Sequence, residues 1–157
     1  MSGVIIRELD VRRDWADFIA LNYRTFKDSI PPDEPISDQE FRRHHKWLIE
    51  HFAPADTSRN RVFVAEVQGQ YAGHVWVGTQ NDFFTRASTP WIFDLSVKTQ
   101  FRRSGLALAL HARGEDWLKA QGRRAVGLQV MAHNEAAAAL YRKLGYVTRA
   151  VSLKKGM

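Results

Sequence analysis

Hydrophobic positions along the chain follow two periods, and the places where the period changes mark the elements. Val4–Leu9 is a short β-branched run that predicts a first strand. From Asp10 to Phe26 the period lengthens: Trp15, Phe18, Ile19, Asn22, Tyr23 and Phe26 recur at spacings of three and four and share a helix face. Ile30–Pro35 ends that pattern, because Pro31 and Pro32 remove backbone donors and force extended backbone. Ser37 and Glu40 have the spacing of a capping box and open a second helix carrying Phe41, His44, His45, Leu48, Ile49 and Phe52. After a polar loop over Ala53–Asn60, Arg61–Val67 returns to period two. Val62 and Val64 fall on one side of this strand, and Phe63, Ala65 and Val67 on the other. The turn Gln68-Gly69-Gln70 joins it to Tyr71–Val77 as an antiparallel hairpin.

Beyond a mixed connection over Gly78–Pro90, Trp91–Val97 is apolar throughout and predicts a central strand. Lys98–Ser104 is a polar loop. Gly105–Gln121 predicts a long helix terminated by Gly122. Ala125–Val130 predicts a further strand, Glu135–Leu144 a helix with Gly145 just past its end, and Tyr146–Leu153 a final strand. The order β-α-α-β-β-β-α-β-α-β is a mixed α/β layout, and residues 1–157 read as one domain.

Composition narrows the chemistry. The absence of cysteine excludes a disulfide framework, a thiol nucleophile and a thiolate zinc site. The six histidines have no His-x-x-x-His or His-Glu-x-x-His spacing, so no metal is expected, and His111 with Glu115 reads as a surface pair one helical turn apart. Twenty-three basic against seventeen acidic residues give a net charge of +6, which favours anionic partners such as a phosphorylated cofactor. The basic residues are dispersed and the aromatics follow core periodicities, so nucleic acid is not an expected partner. No apolar run has the length of a membrane span, and Met1–Glu8 lacks the apolar stretch of a signal peptide. A cytoplasmic protein is the expectation.

Two segments stand apart. In Val97-Lys98-Thr99-Gln100-Phe101-Arg102-Arg103-Ser104-Gly105-Leu106-Ala107, a buried strand passes through a basic loop into a long helix. The first N–H groups of that helix lack intrahelical partners and lie at the positive end of its dipole. Gly105 permits close backbone approach and Ala107 keeps the next turn small, so Arg-x-x-Gly-x-Ala reads either as a pyrophosphate cradle or as a basic turn with a glycine cap. The second segment is Asn134-Glu135-Ala136-Ala137-Ala138-Ala139-Leu140-Tyr141-Arg142-Lys143-Leu144-Gly145-Tyr146. Asn134 is a helix cap, the alanines make a smooth narrow face, and Tyr141 either packs or supplies a phenolic proton.

Together these segments resemble the GCN5-related N-acetyltransferase (GNAT) superfamily. Arg102-x-x-Gly105-x-Ala107 is similar to its Gln/Arg-x-x-Gly-x-Gly/Ala motif and follows a strand ending Asp94-Leu95-Ser96-Val97. Asn134, Ala137, Leu140, Tyr141, Gly145 and Tyr146 stand in register with Asn-x-x-Ala-x-x-Leu-Tyr-x-x-x-Gly-Phe/Tyr. The resemblance implies a mostly antiparallel central sheet flanked by helices, and acetyl-CoA in a splay between the Trp91–Val97 and Ala125–Val130 strands. It places the pantetheine arm on backbone groups of Leu95 and Val97, and the pyrophosphate on Arg102, Arg103, Ser104, Gly105, Leu106 and Ala107. Asn134 and Ala137 would lie near the thiol end, and Tyr141 would protonate the departing thiolate. The acceptor would be a primary amine of a small molecule or peptide, and a homodimer paired through Thr148–Leu153 fits the same habit. The base is open. Family members often carry a glutamate where Phe93 stands, leaving Asp94 as the best-placed carboxylate, with His74, His133 and His44–His45 as alternatives. The acidic residues Asp28, Asp33, Glu34 and Asp82 are candidates to attract a cationic amine. The departure at Phe93 also admits a different reading, an acyl-CoA-binding regulatory domain without turnover.

Overall fold

A computed structural model describes residues 3–157. The chain runs β1 (Val4–Glu8), α1 (Val11–Asp28), α2 (Asp38–Phe52), β2 (Arg61–Val67), β3 (Gln70–Asn81), β4 (Ser88–Val97), a 3₁₀ turn at Thr99–Phe101, α3 (Leu106–Ala120), β5 (Gly127–Leu128) and α4 (Glu135–Lys143). The sheet is five-stranded in the order β1-β2-β3-β4-β5. The first three pairings are antiparallel, and β4–β5 alone is parallel. This is the mixed, mostly antiparallel sheet that the sequence predicts.

Alternation along β2 sorts the core into two layers. Phe63, Ala65 and Val67 meet Val75, Val77 and Ile92 under Leu106, Leu110 and Leu118 of α3. Val62 and Val64 face the other way, with Tyr71 and Trp76, and receive Phe18 and Leu21 of α1. Each such side chain contributes about 1.5–3 kcal/mol when fully buried, so the strand register is fixed from both faces. Asp10 caps α1, accepting the N–H of Arg12 at 2.9 Å, and Ser37 and Glu40 form the reciprocal capping box that the sequence indicates.

Four elements differ from the sequence expectation. β3 and β4 are longer, pairing Thr79 with Pro90, Gln80 with Thr89 and Asn81 with Ser88, so the connection shrinks to 82–87. These positions show no apolar alternation because the hairpin tip projects beyond the core. Asp82 closes it by accepting the N–H groups of Phe84 and Thr85, both at 2.9 Å. β5 keeps only Gly127–Leu128 of the expected six residues. Trp76 pairs with Asp94 and Val77 with Ile92, so Phe93 is an extra residue on β4, a bulge that bends β4 away from β5. Finally, 146–153 forms no strand, and Val147, Val151 and Leu153 are exposed. Strand-like alternation needs a sheet edge to pair with, and in the single chain this segment is held instead by side-chain ion pairs, Arg149 to Asp82 and Lys154 to Glu34.

A buried ion cluster ties α1 to the sheet. The Arg7 guanidinium donates to both oxygens of Asp14, at 2.6 and 2.9 Å, and Asp10 N–H adds a third bond at 2.8 Å. Burial by itself would raise the Asp14 carboxyl, but the Arg7 hydrogen bonds and the Asp10 N–H outweigh it and hold Asp14 below the usual carboxylate range. A depressed carboxylate contributes stability above the unfolded value of about 3.9, and that stability is lost as pH falls through the folded value. The urea midpoint is therefore expected to drop steeply below about pH 4, and Asp14→Asn to flatten that drop. An equal acid slope in the variant would assign the acid sensitivity elsewhere.

Candidate active site

Where β4 leaves β5, backbone groups are turned toward open space. Lys98 N–H donates to Ala72 O at 2.8 Å. With a strand period of two, Ser96 and Asp94 bond β3, while Leu95 and Val97 point their N–H and C=O groups into the splay. β5 pairs only at Trp91↔Gly127 and Ile92↔Leu128, so it covers neither. Val97 O is taken by Arg102 Nε at 3.1 Å, leaving Leu95 and the Val97 N–H as the accessible pair. Gly127 lies under the Trp91 ring, where a Cβ would come within 2.4 Å of it; only glycine lets Trp91 lie flat at the apex.

The loop into α3 has the backbone shape of an anion cradle. Arg103 and Gly105 both have positive φ, 58° and 80°, a geometry that turns successive N–H groups to one side. A Cβ on Gly105 would meet nothing within 4 Å, so the space in front of the loop is open. Leu106 and Ala107 begin the helix and add N–H groups without intrahelical partners. The Ser104 hydroxyl is turned inward to Phe101 O, so Ser104 offers its backbone to the cradle. Arg102 is folded back onto β4, and Arg103 is the exposed cation beside the loop.

α4 supplies the second motif. Asn134 accepts the N–H of Ala137 at 3.2 Å and so caps the helix. Tyr141 is half-buried, its ring edge-on to Tyr146 at 5.5 Å. Burial, with a smaller part from the Asp94 charge, pushes its phenol up to about 12. Tyr146 is in turn fixed by a 2.8 Å hydrogen bond to His111 Nε2 on α3. His111 is 2% exposed, so the reading of His111–Glu115 as a surface pair is corrected: Glu115 stands 3.8 Å from the other ring nitrogen, and the ring itself is interior. Burial lowers the His111 imidazole, keeping it neutral, and raises the Tyr146 phenol. The bond joins two uncharged groups.

Behind the splay lies a polar network that sequence spacing did not reveal. Asp94, 4% exposed, accepts Asn22 Nδ2 at 2.7 Å and His74 Nε2 at 2.6 Å on one oxygen and the Ser96 hydroxyl on the other. Thr25 Oγ1 lies 2.8 Å from Ser96 Oγ, the Tyr71 hydroxyl 2.6 Å from His74 Nδ1, and His45 Nε2 2.7 Å from Asn22 Oδ1. Burial raises the Tyr71 phenol far above its ordinary value, so it keeps its proton and donates to His74. Burial lowers the His45 imidazole, which stays neutral and donates Nε2–H to Asn22. Every donor thus points, directly or through one intermediary, at Asp94. His74 is buried inside this network, whereas His133 is exposed and donates to Asp28 O at 3.1 Å, and His44 stacks on Trp47.

On the α1–α2 side of the apex, a cavity of about 220 Å³ opens. Phe26 of α1, Leu48 and Phe52 of α2, and Trp76, Trp91, Ile92 and Phe93 of the sheet wall it, with Gln80 and Gln129 as polar groups. Of the acidic residues expected to draw in an amine, Asp82 and Glu34 are committed to Arg149 and Lys154, and none of the four lines this cavity.

The profile of the acetyltransferase (GNAT) family matches residues 15–146. Mycothiol acetyltransferase of Streptomyces coelicolor is 28% identical over 154 residues, covering 97% of this chain and 45% of its own length. The Paenarthrobacter aurescens enzyme of the same name is 31% identical over 149 residues, covering 93% and 43%. The chain thus spans less than half the length of these curated relatives. Among solved structures, a Pyrococcus furiosus protein described as a candidate acetyl transferase superposes with a TM-score of 0.78 at 25% identity, covering 98% of this chain and 99% of that one. With the family profile spanning both motif segments and the β4–β5 splay, the chain belongs to the GNAT acetyltransferase family.

Proposed function

We propose that the protein is an acetyl-CoA-dependent N-acetyltransferase acting on a primary amine. The observation that carries this reading is the coincidence of three features at one place: the open backbone of Leu95 and Val97, the positive-φ loop at Arg103–Gly105 opening α3, and a protonated Tyr141 from α4. The residues fit the cofactor, because the space in front of Gly105 is empty and the adjacent N–H groups are unpaired by helix geometry.

Backbone N–H groups of Arg103 to Ala107, with the Arg103 side chain, would hold the pyrophosphate. Leu95 and Val97 would bond the pantetheine amides, and Asn134, whose Oδ1 caps α4, would present its Nδ2 to the arm. When bound, acetyl-CoA supplies an activated acyl thioester. Tyr141 holds its Oη proton through neutral pH and donates it at the sulfur. The Leu95 N–H, turned into the splay one strand period farther from the pyrophosphate loop, is the donor for developing oxyanion charge. Asp94, already accepting from Asn22, His74 and Ser96, acts as a positioning residue that fixes α1 against β4.

Gly105→Val tests the cradle. A β-branched residue cannot hold φ near 80° without strain, and its side chain fills the space where the phosphates would lie. Calorimetry is expected to show acetyl-CoA affinity reduced at least about tenfold, that is by about 1.4 kcal/mol or more, on protein that is still folded, its thermal midpoint lowered by roughly 2–12 °C through the backbone strain. Unchanged affinity would remove the loop from the cofactor site. Acetyl-dependent release of CoA thiol over a panel of amines tests the activity itself. Tight acetyl-CoA binding with no acceptor turned over would instead support a domain that binds the cofactor without using it.

A further inference from the structure

The apex cavity identifies the class of amine. We propose that the acceptor is a primary monoamine carried on an uncharged apolar or aromatic body; this rests on the acetyltransferase reading. Phe93 occupies the extra position at the β4 bulge, so its ring turns to the α1–α2 face and packs between Trp76 and Phe52, tilted 33° and 44° to them with each centroid 4.9 Å away. Trp91, laid flat over Gly127, forms the wall toward the splay. Among the described residues lining the cavity, none is charged.

Such a wall selects by desolvation. One ammonium can be met by the aromatic faces, but the further charges of a polyamine or the hydroxyls of a polyhydroxylated ring lose hydration that the wall does not replace, whereas an apolar body gains by burial. The same desolvation disfavours the charged form of the amine itself, so the nitrogen arrives in the neutral, nucleophilic state. The proton that the nitrogen sheds as the C–N bond forms replaces the one Tyr141 gives up, so the transfer balances without a carboxylate at Phe93. Gln80 and Gln129, on β3 and just beyond β5, put one amide on each side and orient the nitrogen without adding charge. The volume, about 220 Å³, lies below the roughly 300–1,000 Å³ of sites for drug-sized ligands, so one ring or one branched chain is enclosed and an oligosaccharide is not. A polycation would need free carboxylates at the rim; Asp82 and Glu34 are held by Arg149 and Lys154, and Asp28 and Asp33 do not line the cavity.

The test compares phenethylamine and isopentylamine with spermidine and glucosamine, by two readouts. In the absence of acetyl-CoA, occupancy is read as the part of the tryptophan quenching that a Trp91→Phe variant loses, since Trp15, Trp47 and Trp117 emit as well. Saturable quenching is expected with the first pair at concentrations at least about tenfold below any response to the second. With acetyl-CoA, kcat/KM for the first pair is expected to exceed that for the second at least tenfold. Leu48→Asp, which places a carboxylate in the wall, is expected to lower phenethylamine kcat/KM at least tenfold and to raise that of spermidine. Preferential turnover of spermidine or glucosamine by the unaltered protein would overturn the substrate class and leave acetyl transfer standing. If no amine is acetylated, the activity reading falls, and the fluorescence ranking alone decides whether the cavity takes apolar amines. An unchanged preference in Leu48→Asp would overturn the assignment of the cavity as the acceptor site.

Discussion

Tyr141→Phe is expected to lower kcat by about 10²-fold while leaving acetyl-CoA affinity within about twofold, because the lost hydroxyl matters only as charge develops on sulfur. The phenol sits near 12 through burial first and the Asp94 charge second, so it carries its proton across the working range. A free thiol titrates near 8.5 and a free phenol near 10, so in water the phenol is the weaker acid by about 1.5 units. In the splay the balance shifts. Burial penalises a thiolate as it penalises a phenolate, raising the affinity of sulfur for the proton. The ring is held for this task by its edge contact with Tyr146, which His111 anchors to α3. The variant keeps that contact and loses only Oη, so KM and the thermal midpoint are expected to stay near their parent values. Steady-state kinetics with calorimetric binding separates the outcomes: unchanged kcat would reduce Tyr141 to a packing residue, and a matched loss of affinity would make it a binding one.

The sequence made some of this site legible and hid the rest for identifiable reasons. Arg102–Ala107 and Asn134–Tyr146 are contiguous, so their spacing carries the cofactor side directly, and the period-two pattern of Arg61–Val67 assigned both faces of β2 correctly. The apex cavity, the proposed acceptor side, is assembled from α1, α2, β3, β4 and the residue after β5, with no local spacing to betray it. The Asp94 network joins positions 72, 20 and 71 residues apart, Asn22 to Asp94, His74 to Asp94 and Thr25 to Ser96. The one local clue was polar residues on apolar faces: Asn22 on the buried face of α1, and His74 in a strand otherwise made of core residues. Buried polar side chains require partners, so each of these pointed to another not yet found. The short β5 was hidden differently. Its strand propensity runs to Val130, but the bulge at Phe93 withdraws the neighbour that would have paired with it.

Because every donor in that network ends at Asp94, its substitutions are expected to form a graded series. Asp94→Ala leaves Asn22 Nδ2, His74 Nε2–H and the Ser96 hydroxyl without their acceptor in a site that is 4% exposed. The cost is expected at about 3–5 kcal/mol, the range for removing one member of a buried charged cluster. For a chain of this length that is roughly 6–20 °C in thermal midpoint. Asp94→Asn costs less, about 1–2 kcal/mol. Its carbonyl still accepts from Asn22 and His74, and its amide donates to Ser96 Oγ once the serine turns its own proton to Thr25, 2.8 Å away. That rescue requires the Thr25 hydroxyl, so Thr25→Ala combined with Asp94→Asn is expected to cost more than the sum of the two. The catalytic readout differs from the stability one. α1 carries both Asn22 and the cavity residue Phe26, so Asp94→Asn is expected to raise KM for the amine with little change in acetyl-CoA affinity, whose contacts lie on Leu95, Val97 and the α3 loop. Equal stability of the alanine variant would show that the network is not held together by this carboxylate. A loss of kcat without any change in amine KM would instead give Asp94 a direct part in removing the proton of the amine.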